Sequence, residues 1–277
     1  MNLTDVVAQA LAEDLGDGDL TTAAVVPVNI RAVAVIEQRE PGMIAGLDAA
    51  REVFRQIDPA LDFTESVEEG RWREGGEVAR VEGAAASILP AERVALNFLG
   101  RLSGVATATA RYVGAVEGTG AEILDTRKTT PGLRELEKEA VRAGGGVSHR
   151  AGLYDAILVK ENHVRLAGGI ARAAQAAVAA ADGADFVELE VETLGELDEA
   201  LAAGVDRVLL DNMSLEDLRA AVARTAGRAV LEASGGIGLE TIRAVAETGV
   251  NFISVGALTH SARALDVSLL LDPASPT

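Results

Sequence analysis

Two adjacent cations, Arg127 and Lys128, stand directly after an apolar run and Asp125 in ILDTRKTTPGLR, residues 123–134. Arginine offers a planar fork that suits a carboxylate, and lysine a compact charge that neutralises phosphate or a developing anion, so the pair points to a negatively charged ligand. More cations follow. The chain's three lysines, Lys128, Lys138 and Lys160, fall within one 33-residue stretch, and His149, Arg150 and His163 lie in or beside it. The formal net charge is -18, from 43 acidic and 25 basic side chains. Such a balance repels nucleic acid and anionic membrane surfaces in general, so an anionic ligand needs a local basic cluster. GGGVSHRAGLYD sets His149 and Arg150 after a glycine run, which suits a loop that closes on a ligand.

These side chains need a scaffold that gathers them. From Gly183 onward the short runs DFVELEV, DRVLL, AVLEA and NFISV recur, with centres Val187, Val208, Val230 and Phe252 spaced by 21, 22 and 22 residues. Amphipathic stretches such as SLEDLRAAVART lie between them. This is βα repetition with parallel strands, and AEILD and AILVK extend it to about six strands. A doubly wound sheet and a barrel both fit; the even spacing and the glycine-rich turns favour a barrel-like ring.

In either fold the strand C-termini form the working face. Those ends carry Asp125, Thr126, Arg127 and Lys128; Lys160; Glu188 or Glu190; Asp211 and Asn212; Glu232 and Ser234; and Ser254, Gly256 and His260. EASGGIGLETI, with Ser234, Gly235 and Gly236, and SVGALTHSA, with Ser254, Gly256 and His260, are glycine-rich turns that each open a helix. Backbone N–H groups in such turns bind phosphate. Glu190 and Asp211 are expected to meet across the mouth, where fixed negative charge can hold Mg²⁺ through a bound pyrophosphate or stabilise a sugar cation.

Residues 1–105 read as a separate α+β domain: a helix ending in a Gly-Asp turn, then strands with glycine turns. A long helix is expected from Pro90, and ALDVSLLLD is expected to return as a strand, with PASPT frayed. The absence of cysteine excludes disulfides, thiolate zinc sites and a cysteine nucleophile. No apolar run approaches the length of a membrane span, and MNLTDVVAQALAEDLG lacks the basic residues of a secretory signal, so the expected location is the cytoplasm.

LDTRKTTPGLRELEK, AVRAGGGVSHRAGLYDAILVKENH, LLDNM, LEASGGI and GVNFISVGALTHSARALDVSL, with AEDLGDGDLTT and ERVALNFLGRLSGVAT, closely resemble the quinolinate phosphoribosyltransferases over nearly the whole chain. The resemblance implies an N-terminal α/β sandwich domain, 1–105, with 265–277 packing back onto it, and an incomplete α/β barrel, 106–264. It implies Mg²⁺-dependent formation of nicotinate mononucleotide, pyrophosphate and carbon dioxide from quinolinate and phosphoribosyl pyrophosphate, in homodimers whose subunits share active sites. Carried onto matching positions, it makes Arg127, His149, Arg150 and Lys160, with Thr126, the quinolinate subsite, and Arg93 the arginine donated by the other subunit. Lys128 bridges substrate and diphosphate, Glu190 and Asp211 face ribose and metal, and Ser234, Gly235, Gly236, Ser254, Gly256 and His260 hold the 5-phosphate. The chain departs from the family pattern at Ser148, where Asn is usual, at Glu139 and Ala143, and in KENH, where KDNH is commoner; all neighbour ligand positions. A relative encoded with molybdate transporters and a non-catalytic sensor on the same scaffold are the alternatives, disfavoured by the intact basic set and by the paired carboxylates.

Overall fold

A computed structural model of the chain describes residues 2–273; the expectation of fraying at 274–277 falls outside the described residues. In chain order the elements open with α1 (Leu3–Leu15), α2 (Leu20–Val25), β1 (Arg31–Gln38), β2 (Gly42–Met43) and α3 (Leu47–Ile57). β3 (Asp62–Glu65), β4 (Trp72–Arg73), β5 (Gly76–Ala84) and the 31-residue α4 (Ala85–Ala115) follow. Next are β6 (Glu122–Leu124), α5 (Arg134–Ala143), β7 (Ile157–Val159), α6 (Glu161–Ala167) and α7 (Ile170–Ala179). Strand and helix then alternate as β8 (Val187–Val191), α8 (Leu194–Ala202), β9 (Arg207–Asp211), α9 (Leu215–Thr225), β10 (Val230–Ser234), α10 (Leu239–Ala246), β11 (Phe252–Ser254) and α11 (Ala257–His260), before β12 (Val267–Pro273).

These form two compact units. The first comprises Met1–Ala110, Thr130–Gly145 and Ser261–Thr277, and the second Arg111–Thr129 and Gly146–His260.

The first unit holds a four-stranded antiparallel sheet in the order β12-β1-β5-β3 and the short pair β2-β4. β1 alternates inward and outward, burying Ala32, Ala34 and Ile36, as the period of a half-buried strand requires. β12 lies antiparallel to β1, from Ala32 opposite Pro273 to Gln38 opposite Val267, so the tail returns as a strand. α4 starts five residues before Pro90, which sits inside it. Proline suits a first helical turn, which is why the sequence predicts a start at Pro90. Buried Ala85 and Ile88 anchor the extra turn, which outweighs the one hydrogen bond that proline cannot donate.

Residues 130–145 also differ from the expected division at 105/106, because α5 belongs to the first unit. A buried ion pair ties it there. Glu137, fully buried on α5, accepts from Arg101 Nε and Nη2 (3.0 and 2.7 Å) and from the backbone N–H and hydroxyl of Thr130 (3.0 and 2.7 Å).

The second unit is a six-stranded, wholly parallel sheet in the order β6-β11-β10-β9-β8-β7. Its edge strands β6 and β7 pair only on one side within this sheet, consistent with the expected incomplete ring. The strands read as near-continuous apolar runs because helices cover the sheet, and Ile123, Leu189, Val208, Leu210, Leu231 and Ile253 are buried. Its successive C-terminal ends are therefore brought to one face.

Candidate active site

β6 delivers the first part of the site. Asp125, fully buried at its end, accepts the His149 backbone N–H at 2.8 Å, which ties the GGGVSHR loop to the TRK segment. The Thr126 hydroxyl accepts the Lys128 N–H (3.1 Å), and the Thr259 hydroxyl donates to the Lys128 carbonyl (2.8 Å). Lys128 is thus held by its backbone on both sides while its side chain stays exposed.

A cavity of about 330 Å³ opens here, lined by Asp125, Thr126, Arg127, Lys128, His149, Arg150, Leu158, Lys160, Leu209, Glu232, Ser234 and Ser254. Eight of the fifteen site residues expected from sequence are in that lining. Arg150 is buried and donates from Nη1 to the Ala156 carbonyl at 3.2 Å. Burial, and next the like charge of Arg127, lower its pKa from the ordinary arginine value. Two guanidinium groups within range of each other make a local positive centre that suits an anion. Leu158 and Leu209 supply the apolar wall a flat ring would need.

Below the cations lies a buried charge cluster. His149 Nε2 is 2.8 Å from Glu188 Oε2 and 3.4 Å from Glu232 Oε2, while Arg207 bonds both carboxylates. Burial alone would lower the His149 pKa, but hydrogen bonds to the two carboxylates outweigh it and raise it to about 9. His149 Nδ1 accepts the Arg150 N–H (2.8 Å), a contact a second ring proton must displace; two full charges prevail over one N–H dipole. Burial pushes Glu188 upward. Against the same burial, bonds from His149 and Arg207 hold Glu232 down to about 2.

Among the described residues, His149, Glu188 and Glu232 are the only such group close enough to share a metal ion. Arg207 already occupies both carboxylates, so this cluster is poorly suited to one. Glu190 and Asp211 fit Mg²⁺ better by donor chemistry: both offer hard carboxylate oxygens and both are partly exposed. They stand on adjacent strands, but Leu209, not Asp211, is in register with Glu190. Glu190 forms an ion pair with Lys160, and Asp211 Oδ2 accepts from Asn212 Nδ2 (2.6 Å).

The glycine turns follow β10 and β11. Asp211 pairs in register with Ser234, and Gly235 has φ 101°, with Asn212 packed where a side chain would go. Only glycine fits that position. Gly236 continues the turn, and Gly256 lies against His260 and Lys128. Arg93 is in the other unit, on α4, with its side chain 64% exposed. Lys138 and Arg142, on α5, also belong to that unit. His163 Nδ1 accepts the Lys160 backbone N–H at 2.9 Å and caps α6.

Asp125 and Glu232 stand at strand ends as expected but outside the expected ligand set, and Arg207, which opens β9, is not anticipated. A signal was present: Glu188 and Glu232 interrupt the apolar runs DFVELEV and AVLEA, and a charge inside a doubly covered strand demands a buried partner.

Two family models cover the chain: quinolinate phosphoribosyl transferase, N-terminal domain, over residues 19–103, and the C-terminal domain of the same family over residues 105–270. The carboxylating nicotinate-nucleotide pyrophosphorylase of Mycobacterium leprae is 45% identical over 272 residues, covering 96% of this chain and 95% of that protein. A probable carboxylating nicotinate-nucleotide pyrophosphorylase from Bacillus subtilis is 42% identical over 270 residues, with 97% and 93% covered. The solved nicotinate-nucleotide pyrophosphorylase of Francisella tularensis superposes with a TM-score of 0.94 at 43% identity, covering 98% of this chain and 96% of that one. With both halves of the chain matched in order, and relatives aligned almost end to end, this protein is a member of the quinolinate phosphoribosyltransferase family.

Proposed function

We propose that the protein transfers the phosphoribosyl group of phosphoribosyl pyrophosphate to quinolinate with loss of carbon dioxide, giving nicotinate mononucleotide and pyrophosphate. One observation carries this reading. In a chain of formal charge -18, Arg127, Lys128, His149, Arg150 and Lys160 converge on a single cavity that also has an apolar wall. A flat dicarboxylate beside a polyphosphate matches that lining in shape and charge.

Arg127, Arg150 and Lys160 bind the two quinolinate carboxylates and aim the ring nitrogen at the ribose, and His149, whose two ring nitrogens face Glu188, Glu232 and the Arg150 N–H, backs them from the cavity wall. Thr126 sets the turn from which they project. Backbone N–H groups at Ser234, Gly235, Gly236 and Gly256, with the Ser254 hydroxyl and His260, receive the 5-phosphate. Lys128 stands between the two substrates and neutralises pyrophosphate as its bond to ribose C1 breaks. Glu190 and Asp211 face the positive charge that grows at C1, and they are the residues that would hold Mg²⁺, which offsets diphosphate charge when bound. Attack by the ring nitrogen then makes the pyridine ring cationic. The cavity keeps that ring in place while C2 loses carbon dioxide, retains the electron pair beside the positive nitrogen, and takes up a proton. No side chain forms a covalent bond; placement and fixed charge supply the catalysis.

The same reading makes the protein a cytoplasmic homodimer in which Arg93 completes the partner's site. No helix among the described residues is long and apolar enough to cross a membrane. The test is carbon dioxide release from purified protein given quinolinate, phosphoribosyl pyrophosphate and Mg²⁺, with nicotinate in parallel. Release that needs all three components and fails with nicotinate is expected; a folded protein that binds ligands without releasing carbon dioxide overturns the reading.

A further inference from the structure

Beneath the cavity of the second unit, four neighbouring strands build a charge cluster whose cation never reaches the cavity lining. Glu188 on β8 and Arg207 on β9 stand directly opposite each other in register, and Glu232 lies on β10, the next strand. Arg207 Nε donates to Glu188 Oε1 at 2.9 Å and Nη2 donates to Glu232 Oε2 at 2.7 Å. Its guanidinium lies 4.4 Å from the centroid of Phe186 and 4.8 Å from that of Phe252 on β11. Two rings this close, with two carboxylates, leave the group little choice of orientation.

The carboxylates face two ways. Both also reach upward to His149, whose ring stands edge-on to Phe186 at 5.3 Å and 90°, and Glu232 bonds Ser254 as well. Asp125 fixes the His149 backbone from β6, and the next peptide carries Arg150 into the cavity. Glu188 and Glu232 are 0% and 1% exposed. Two buried carboxylates side by side repel, and apolar residues would fill the same space at lower cost. A wish for stability therefore does not explain the cluster; a fixed position for what it holds does.

We propose that Arg207 is a positioning residue for the dicarboxylate subsite: it locks Glu188 and Glu232 so that they hold the His149 ring and, through the adjoining peptide, keep Arg150 aimed at a substrate carboxylate. The inference rests on the transferase reading above. It predicts a division of labour. The phosphoribosyl donor meets Lys128 and the glycine turns, which the cluster touches through the Glu232 bond to Ser254 and not through Arg207 itself, so loss of Arg207 is felt first at the quinolinate subsite.

The experiment compares wild type with Arg207→Met, Arg207→Lys and Glu232→Gln by steady-state kinetics for each substrate and by NMR of ring-labelled histidine. The chain has only three histidines, so His149 is resolved from His163 and His260. Arg207→Met is expected to raise KM for quinolinate about tenfold or more, keep KM for phosphoribosyl pyrophosphate within about twofold, and move the His149 resonances alone; Arg207→Lys recovers part of each effect. Folded variants that keep both the quinolinate KM and the His149 resonances overturn the inference, as does an equal loss for both substrates. If Arg207→Met does not fold, Arg207→Lys and Glu232→Gln decide by the same readouts. Wild type that fails to turn over quinolinate sinks the transferase reading instead, and the His149 resonances then decide the positioning role alone.

Discussion

Gly256 and Lys128 meet at the rim of the cavity: a methyl group placed on Gly256 would lie 3.2 Å from Lys128 Cδ, and equally close to His260 Nε2. The missing side chain is what lets two basic groups from opposite ends of the unit's sequence approach one turn. The backbone of Gly256 is not in the left-handed region, so space rather than conformation demands glycine there.

Gly256→Ala should therefore fold normally, because both neighbours are the ends of flexible side chains and can yield by a few tenths of an ångström. Both side chains then shift at the 5-phosphate turn. The expected result is a KM for phosphoribosyl pyrophosphate raised about threefold to tenfold with an unchanged urea midpoint, and a larger effect for Gly256→Val. Unaltered donor kinetics in both variants would remove Lys128 and His260 from the donor subsite.

The second prediction concerns pH. His149 is faced by Glu188, Glu232 and Arg207 from the strands below, by Asp125 from β6, and by neighbouring Arg150. Its pKa is raised from 6.5 to about 9, so its contribution to stability is complete below 6.5, declines as pH rises, and is lost above about 9. Glu232 has the opposite sign. Lowered from 4.5 to about 2, it stabilises the fold above 4.5 and stops doing so as pH falls through about 2. Urea midpoints of wild type and His149→Asn should converge between pH 6.5 and 9, and the His149 ring should titrate near 9 in an NMR series. A His149 ring that titrates near 6.5 would show that the Arg150 N–H contact, not the carboxylates, governs it.

Much of this arrangement can be read from the chain, and the exceptions share a cause. Strand spacing near 22 residues, polar residues at strand ends and glycine turns are local patterns, and the parallel sheet follows from them directly. So does the gathering of Arg127, His149, Arg150 and Lys160, since a parallel sheet must bring its C-terminal ends to one face. What local pattern does not carry is pairing at a distance. α5 looks like one more helix of the βα series, and contacts distant in sequence, such as that of Glu137 with Arg101, 36 positions earlier, tie it to the other unit. Arg207 looks like a surface residue opening a strand until Glu188, Glu232 and two phenylalanine rings are placed around it. Pro90 inside α4 is the remaining case, where packing of the preceding turn overrides a strong start signal.

The Glu137 contact yields a prediction about stability in the first unit. Glu137 is fully buried, and Arg101 also donates from Nη1 to the Ala262 carbonyl at 2.9 Å. Removing one partner of a buried pair leaves a charge without compensation. Arg101→Met should destabilise the protein by about 3 kcal/mol in urea unfolding, whereas Arg101→Met combined with Glu137→Leu should recover a substantial part, because the double change deletes the stranded charge. Additive losses in the double variant would mean that Glu137 is held by Thr130 alone.

Arg93 gives the test of a shared site. It lies on α4 in the first unit, exposed, with Glu92 as its nearest acidic neighbour at 4.0 Å, whereas Lys128 belongs to the second unit. If Arg93 serves the partner's cavity, Arg93→Ala and Lys128→Ala each inactivate every site in their own homodimers. Mixed dimers behave differently. In one of their two sites both changes coincide, and in the other Arg93 and Lys128 are both intact. Random exchange of equal amounts makes about half the dimers mixed, so activity should return to about a quarter of wild type after the two inactive proteins are unfolded and refolded together. Mixing without refolding should restore less, at a rate set by subunit exchange. No recovery from a refolded mixture whose separate components refold well would place Arg93 in its own subunit's site or in none, and the homodimer would then have no part in the chemistry.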